Sequence, residues 1–242
     1  LQIIVDDDQP LKNNMAFSIT KYHFRSNLLL RNVHGEFLDE LSTITEQISA
    51  EKKTVIYKEG SLPFAVYCVT KGKVKIEQLT ETGDSRIVYI YTPGEYFGFR
   101  PLLSGERHPV SATAIEDCEL QVFDGKCFID IVKRSQILSF NLIEILSFEF
   151  NVWVNLISSL SHKSAKERVA LILLILHEKY KGADSKSEIT MSKKDIASYA
   201  ETTEETVVRI INFFEQEKIL KNQGRKISLI NNHLLEIITK GF

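Results

Sequence analysis

The sequence predicts an α+β fold in three successive parts: a small all-β barrel or sandwich, one long apolar helix, and a helix-turn-helix followed by a hairpin. Three observations carry that prediction. Between Lys53 and Phe123, short β-rich runs alternate with single glycines at nearly regular intervals. Between Gln136 and Leu160 there is no Lys or Arg, and apolar residues recur in steps of three and four. From Ser192 to Lys218, two short helical patterns flank a break at Glu201-Thr202-Thr203.

Length and composition set the frame. A chain of 242 residues with 43% hydrophobic content accommodates one or two domains with a sizeable core. Net charge is −2, so nothing global advertises nucleic acid. The C-terminal third nevertheless carries a small surplus of Lys and Arg, and the remainder a small deficit. Cys68, Cys118 and Cys127 have neither metal-ligand spacing nor an even count, which suits reduced thiols in a cytosol. No signal peptide is read.

Residues 1–22 are polar, lack clear periodicity, and read as an extension that is partly ordered at best. A helical pattern is expected from Ser26 to Ile48, with Leu28, Leu29, Leu30, Val33, Phe37, Leu38, Leu41, Ile44 and Ile48 on its apolar side. The β-runs then follow: Thr54–Lys58, Phe64–Thr70, Val74–Leu79, Arg86–Tyr91, Tyr96–Phe97, Val110–Ile115 and Glu119–Phe123. Strands this short, separated by turn signals, suggest a barrel or sandwich, with or without a ligand.

Along the long helix, Ile143, Leu146, Phe150, Trp153, Ile157 and Leu160 form a heptad seam, and Leu138, Leu142, Ile145, Val152 and Leu156 a second apolar face. A helix apolar nearly all round is buried on both sides. About 20 apolar residues also suffice to cross a bilayer. Glu144, Glu149, Asn141, Asn151 and Asn155 speak against that, because such groups are costly in lipid. The expected arrangement places one face on the β-barrel and the other on the same helix of a second chain.

Ser164 to Arg168 starts a further helix with Val169, Leu171, Ile172, Leu174, Ile175 and Leu176 as core; a polar loop over 181–187 and a short strand over Ile189–Met191 come next. Ser192 with Asp195, and Thr202 with Glu205, fit capping boxes. Val207, Ile210, Ile211 and Phe214 make one apolar stripe. The opposite face carries Thr203, Glu204, Glu205, Val208, Arg209 and Asn212. In a helix-turn-helix the second helix enters the major groove, where Arg grips guanine and Glu accepts from cytosine. Glu205 and Arg209 are four apart, so mutual pairing on a solvated helix is the plainer alternative. Ile219-Leu220, the turn Asn222-Gln223-Gly224, and Lys226–Ile230 read as a hairpin, with Lys221, Arg225 and Lys226 placed either for phosphate contact or simply for solubility. Asn232–Ile238 closes the chain as a short helix.

The order of these parts resembles the Crp/Fnr family of bacterial transcription regulators across roughly residues 24–240. The resemblance rests on Lys58-Glu59-Gly60, on Val69-Thr70-Lys71-Gly72-Lys73-Val74, and on Thr92-Pro93-Gly94-Glu95-Tyr96-Phe97-Gly98. It rests further on Ser164-Ala165-Lys166-Glu167-Arg168-Val169-Ala170 and on Thr203-Glu204-Glu205-Thr206-Val207-Val208-Arg209. It implies an N-terminal double-stranded β-helix, a jelly-roll-like and cyclic-nucleotide-binding-like β-roll over 23–134. A dimerisation helix over 135–161 and a winged helix-turn-helix over 162–242 follow, behind the extension 1–22. It also implies a cytoplasmic homodimer on a two-fold symmetric site in double-stranded DNA, acting through RNA polymerase and away from any membrane. Base contacts are expected from Glu204, Glu205 and Arg209, and phosphate contacts from Thr203 and Thr206 beside the hairpin cations.

Two departures qualify the resemblance. Many relatives have Gly in the turn between the helices where this chain has Glu201, and an Arg often found at the Glu204 position is missing, so a different DNA sequence is expected. Cyclic-nucleotide-binding relatives place Gly-Glu at the pocket and an Arg-Ser pair about ten residues on; here Gly98 is followed by Phe99-Arg100-Pro101, and the later pair is His108-Pro109. His-Pro cannot replace the bidentate Arg. Cyclic AMP is therefore not expected, the cofactor is unknown, and a small-molecule effector is left open. The pocket candidates are Phe97, Gly98, Phe99, Arg100, Arg107 and His108, although exposed Arg in a loop needs no ligand. The N-terminal cysteine cluster of the iron–sulfur oxygen sensors is absent, so neither metal nor cluster is expected. The sequence offers no Gly-x-Ser-x-Gly, His-Glu-x-x-His or phosphate loop, which argues against an enzyme. An effector-free or protein-partnered dimer is the alternative to a ligand-gated one.

Overall fold

The computed structural model describes residues 18–81, 83–181 and 188–241. Most of the expected extension (1–17) and of the expected polar loop (182–187) lies outside the described residues. The end of that extension is ordered: Ile19–Tyr22 is a 3-10 turn, and Tyr22 is buried. The pattern from Ser26 to Ile48 does not form one helix. It divides into a 3-10 turn at Ser26–Leu28, helix α1 at Gly35–Thr43, and strand β1 at Thr45–Ala50. Asn32, at φ +58°, interrupts it, and β1 pairs antiparallel with a later strand, Thr45 opposite Phe123. Ladder pairing here overrides the helical spacing.

The roll consists of β2 (Val55–Tyr57), β3 (Ala65–Lys71), β4 (Val74–Leu79), β5 (Ser85–Tyr91), β6 (Tyr96–Phe97), β7 (Ser111–Ala114) and β8 (Cys118–Asp124). These make two antiparallel four-stranded sheets, β1-β8-β3-β6 and β2-β7-β4-β5. Rings from both sheets meet inside: Tyr57 with Tyr67 at 5.8 Å, and Tyr91 with Phe97 at 5.1 Å between centroids. β3 is apolar on both faces because both are covered. Ala65, Tyr67 and Val69 point into the roll, while Val66 and Cys68 join a second cluster outside it. Two helices decorate the roll: α2 (Phe99–Ser104) and α3 (Gly125–Arg134), the latter capped by Asp124, whose carboxylate accepts from the Cys127 N–H at 2.9 Å.

Helix α4 runs from Gln136 to His162. It is long and apolar enough to cross a membrane by length and composition. Its face Leu138, Leu142, Ile145, Glu149, Val152 and Leu156 is nevertheless buried on the rest of the protein. Phe140, Ile143, Phe150, Val154 and Ile157 on the other side are exposed, each by half or more. Within the expected seam Leu146 is 37% exposed, whereas Trp153 and Leu160 are half-buried.

The C-terminal part is built around α5 (Ala165–Lys179), in which Val169 to Leu176 are all buried. A capping box starts it: the Ser164 hydroxyl accepts from the Glu167 N–H, and Glu167 accepts from the Ser164 N–H at 2.8 Å. β9 (Glu188–Thr190), α6 (Lys193–Tyr199), α7 (Glu204–Gln216), β10 (Leu220–Gln223), β11 (Lys226–Leu229) and α8 (Asn232–Lys240) complete it, with sheet order β10-β11-β9.

Candidate nucleic-acid interface

Helices α6 and α7 form the helix-turn-helix. Val207, Ile210, Ile211 and Phe214 bury the inner stripe of α7. The cap is Thr203 rather than Thr202: its hydroxyl accepts from the Thr206 N–H at 3.2 Å and meets the Thr206 hydroxyl at 2.9 Å. Thr202 stays in the turn, its N–H donating to the Ala197 carbonyl. Glu205 therefore does not close a capping box. Before α6, the Ser192 hydroxyl accepts from the Asp195 N–H at 3.0 Å, and the Asp195 carboxylate reaches Lys75 of the roll at 3.0 Å.

Thr203, Glu204, Glu205, Val208, Arg209 and Asn212 are all exposed on α7, with Thr206 half-buried beside them. Among the described residues neither Glu205 nor Arg209 has an ion-pair partner, so the pairing between them does not form. The result is an open face with a free guanidinium and two free carboxylates over its first turns.

Arg168, placed by sequence only in the helix start, braces the turn. Its guanidinium donates to the carbonyls of Ala200 at 2.8 Å, Glu201 at 2.9 Å and Lys163 at 2.7 Å. Glu201 sits at φ +51°, a left-handed conformation that glycine adopts more readily, and its carboxylate pairs with Arg86 of the roll. On the hairpin β10–β11, Lys221, Arg225 and Lys226 are exposed; Lys226 pairs with Glu188 at 3.0 Å. Lys193 holds the hairpin by donating to Asn222 Oδ1 and the Gly224 carbonyl. Lys52 and Lys53 of the roll, with Lys75, Lys194, Asp195 and Arg225, line a cleft of about 380 Å³ between the roll and this hairpin.

The roll and the helix-turn-helix are docked through named contacts. Ser198 Oγ accepts from the Ile87 N–H at 2.9 Å and donates to the Ser85 carbonyl at 2.6 Å. Lys179 Nζ, almost fully buried, reaches Glu95 Oε1 at 2.8 Å and Oε2 at 2.7 Å, and Tyr89 Oη at 2.5 Å. Burial pulls the Lys179 ammonium down from its ordinary value, and the Glu95 carboxylate opposes the shift.

The expected effector residues do not converge. Gly98 is at φ +87°, and a Cβ there would meet the Tyr67 ring at 2.9 Å, so only glycine fits. Phe97 and Phe99 are both fully buried, in different clusters: Phe97 in the roll interior, Phe99 against α3 and α4. Arg100 turns to α4, where Nε donates to Glu149 Oε2 at 2.8 Å, and its Nη1 donates to Tyr91 Oη at 3.1 Å. Burial raises Glu149 above the usual carboxylate range against the pull of Arg100. His108 is buried with its ring stacked on Tyr57 at 3.8 Å, and burial lowers its basicity. Arg107 is exposed and donates to the Gly60 carbonyl. Phe99 thus faces an apolar cluster, and the Arg100 guanidinium is already matched by the Glu149 carboxylate. Among the described residues there is no group of three or more His, Cys, Asp or Glu suited to a metal.

Residues 47–135 match the cyclic nucleotide-binding domain family, and residues 167–238 the Crp-like helix-turn-helix domain family. The anaerobic regulatory protein of Aggregatibacter actinomycetemcomitans is 27% identical over 205 residues, covering 83% of this chain and 79% of that protein. The fumarate and nitrate reduction regulatory protein of Escherichia coli K12 is 28% identical over 202 residues, covering 82% and 80%. Among solved structures, FixK2 from Bradyrhizobium japonicum superposes with a TM-score of 0.73 at 27% identity, covering 81% of this chain and 97% of that one. A CRP/FNR-family transcriptional regulator from Thermus thermophilus shares the fold, with a TM-score of 0.67 at 23% identity over 81% and 99%.

Proposed function

From a chain that belongs to the Crp/Fnr family, and is a DNA-binding transcription regulator rather than an enzyme, we infer a homodimer that reads a two-fold symmetric site and acts through RNA polymerase in the bacterial cytoplasm. One observation carries the reading: the first turns of α7 present Glu204, Glu205 and an unpaired Arg209 to solvent on a capped, braced helix. Thr203, Thr206, Lys221, Arg225 and Lys226 flank them, and Lys52, Lys53 and Lys194 extend the positive surface onto the roll for phosphate contact beyond the half-site. The open apolar side of α4 supports pairing of two copies along that helix, since Ile143, Phe150 and Ile157 are 59–67% exposed.

Cyclic AMP is not the effector in this reading, and the arrangement of Phe99, Arg100 and His108 supports that. A regulator governed by its own abundance or by a protein partner is the second reading, favoured by the Arg100–Glu149 pair that occupies the junction of roll and α4. Fluorescence anisotropy on fragments near its own promoter tests DNA binding: affinity should fall steeply as salt rises. Sedimentation showing a lone subunit, together with no binding to duplex DNA in low salt, would remove the proposal. Calorimetry with cyclic AMP should give no heat of binding, and a sub-micromolar response would overturn the effector reading.

A further inference from the structure

Residues 19–31 lie along α4 as a strap, and α4 spends its polar side chains on holding it. Asn155 Nδ2 donates to the Lys21 carbonyl at 3.3 Å, and Ser159 Oγ meets Tyr22 Oη at 2.8 Å. The Arg25 guanidinium covers the Phe148 ring at 3.9 Å. Asn141 Nδ2 donates to the carbonyls of Leu29 at 2.9 Å and Arg31 at 2.8 Å, and Glu144 pairs with Arg31 at 2.5 Å. An apolar seam needs none of Asn141, Glu144, Asn155 or Ser159.

The strap delivers one ring into the crevice between the roll and α4. Phe24 is 5% exposed and stacks face to face on Tyr89, centroids 3.7 Å apart at 17°. Trp153 meets it edge-on at 5.5 Å, and the Arg100 guanidinium lies 5.1 Å above it. A planar ring between aromatic partners, with a cation beside it, is the geometry of a ligand seat. Here the chain itself fills the seat.

The seat meets the DNA-binding part at the Tyr89 hydroxyl. Tyr89 Oη accepts from the Phe24 N–H at 2.8 Å and from Lys179 Nζ, and donates to Glu95 Oε1 at 2.9 Å. Its two lone pairs and its proton are thereby all used. Glu95 also accepts from the Thr92 N–H and hydroxyl, both at 2.7 Å, so its carboxylate is fixed in the roll while Lys179 belongs to α5. Phe24 in its seat thus positions the hydroxyl on which the buried link to α5 closes.

We propose that residues 19–31 are an internal ligand of the crevice between the roll and α4, and that Phe24 in its seat holds the helix-turn-helix docked on the roll through Tyr89, Glu95 and Lys179. The segment takes the place of a diffusible effector, and whatever withdraws it frees the DNA-binding part.

The test uses the full chain without DNA, so its outcome is independent of the DNA-binding reading. Trp153 is the chain's single tryptophan and reports on the seat directly. Phe24→Ala should shift Trp153 emission to the red and reduce hydrogen-exchange protection in α5 and α6 by about tenfold or more. Toluene, small enough for the vacated space, should restore both readings. Tyr89→Phe keeps the stacked ring but removes the hydroxyl; it should leave Trp153 emission as in the wild type while protection in α5 and α6 still falls. Unchanged emission in Phe24→Ala, or no recovery with toluene, would rule out the seat. Unchanged exchange in Tyr89→Phe would rule out the link, and that variant keeps the proposal testable should Phe24→Ala fail to fold.

Discussion

Arg100 Nε lies 2.8 Å from Glu149 Oε2, so a roll residue neutralises the carboxylate set in the buried face of α4. Glu149 is 2% exposed, and its Oε1 has no hydrogen-bond partner among the described residues. Removing one member of such a pair strands a charge, whereas replacing both with apolar groups is often neutral. Arg100→Met should destabilise the protein by about 3–5 kcal/mol, and Arg100→Met combined with Glu149→Leu should recover most of that loss. Urea denaturation of the single and double variants measures the coupling.

His23 gives the stability a dependence on acid. Its imidazole is lowered from 6.5 to about 4, chiefly by burial and then by Lys179, against the pull of Glu95 and Glu178. The unfolded chain therefore takes up the proton first. The contribution is complete above pH 6.5 and is lost as pH falls toward 4, on the order of 3 kcal/mol in total. Denaturation midpoints measured across that window should drop, and His23→Gln should flatten the slope.

Glu201 pulls in two directions. Its φ of +51° costs about 1 kcal/mol relative to glycine, yet its carboxylate pairs with Arg86 across the docking surface. Both partners are about one-third exposed or more, so the pair itself contributes little. Glu201→Gly should raise the thermal midpoint slightly while increasing hydrogen exchange at Ser85–Ile87.

For Arg209→Ala, fold and dimer should be unaffected, because the side chain is exposed and makes no ion pair among the described residues. Specificity at one base pair of each half-site should relax, by about 1–3 kcal/mol. Anisotropy with single-base operator variants is the measurement, and a variant that discriminates among them as the wild type does would reassign the reader.

Phe150 is 67% exposed at the middle of the open side of α4. Phe150→Asp places a charge where the partner helix is expected and should convert the dimer to a single subunit in sedimentation velocity, with circular dichroism unchanged.

The large features were legible in the sequence because their periodicity is strong. Strand β4 falls on its expected residues, and the seam and buried face of α4 separate much as the heptad pattern implies. What escaped was decided by tertiary partners. β1 carries a helical spacing but is claimed by β8, and the six residues of α2 are too few to show a period. Glu149 was visible as a carboxylate between Ile145 and Val152, but nothing local pointed to Arg100, 49 positions earlier. Tyr22 and Phe24 were two aromatic residues in a polar stretch, a faint signal whose meaning depends on Tyr89. Arg168 acts on carbonyls 32 and 33 residues away, a distance that no window resolves.

Strand β5 closes the order β2-β7-β4-β5, and the outward N–H of Ile87 and carbonyl of Ser85 are satisfied by one hydroxyl, that of Ser198. Lifting the helix-turn-helix away would bare these two ladder groups on an edge strand, which could then recruit a strand from another molecule. Undocking thus carries an aggregation hazard, one that sets a limit on how long the open form can persist free in solution.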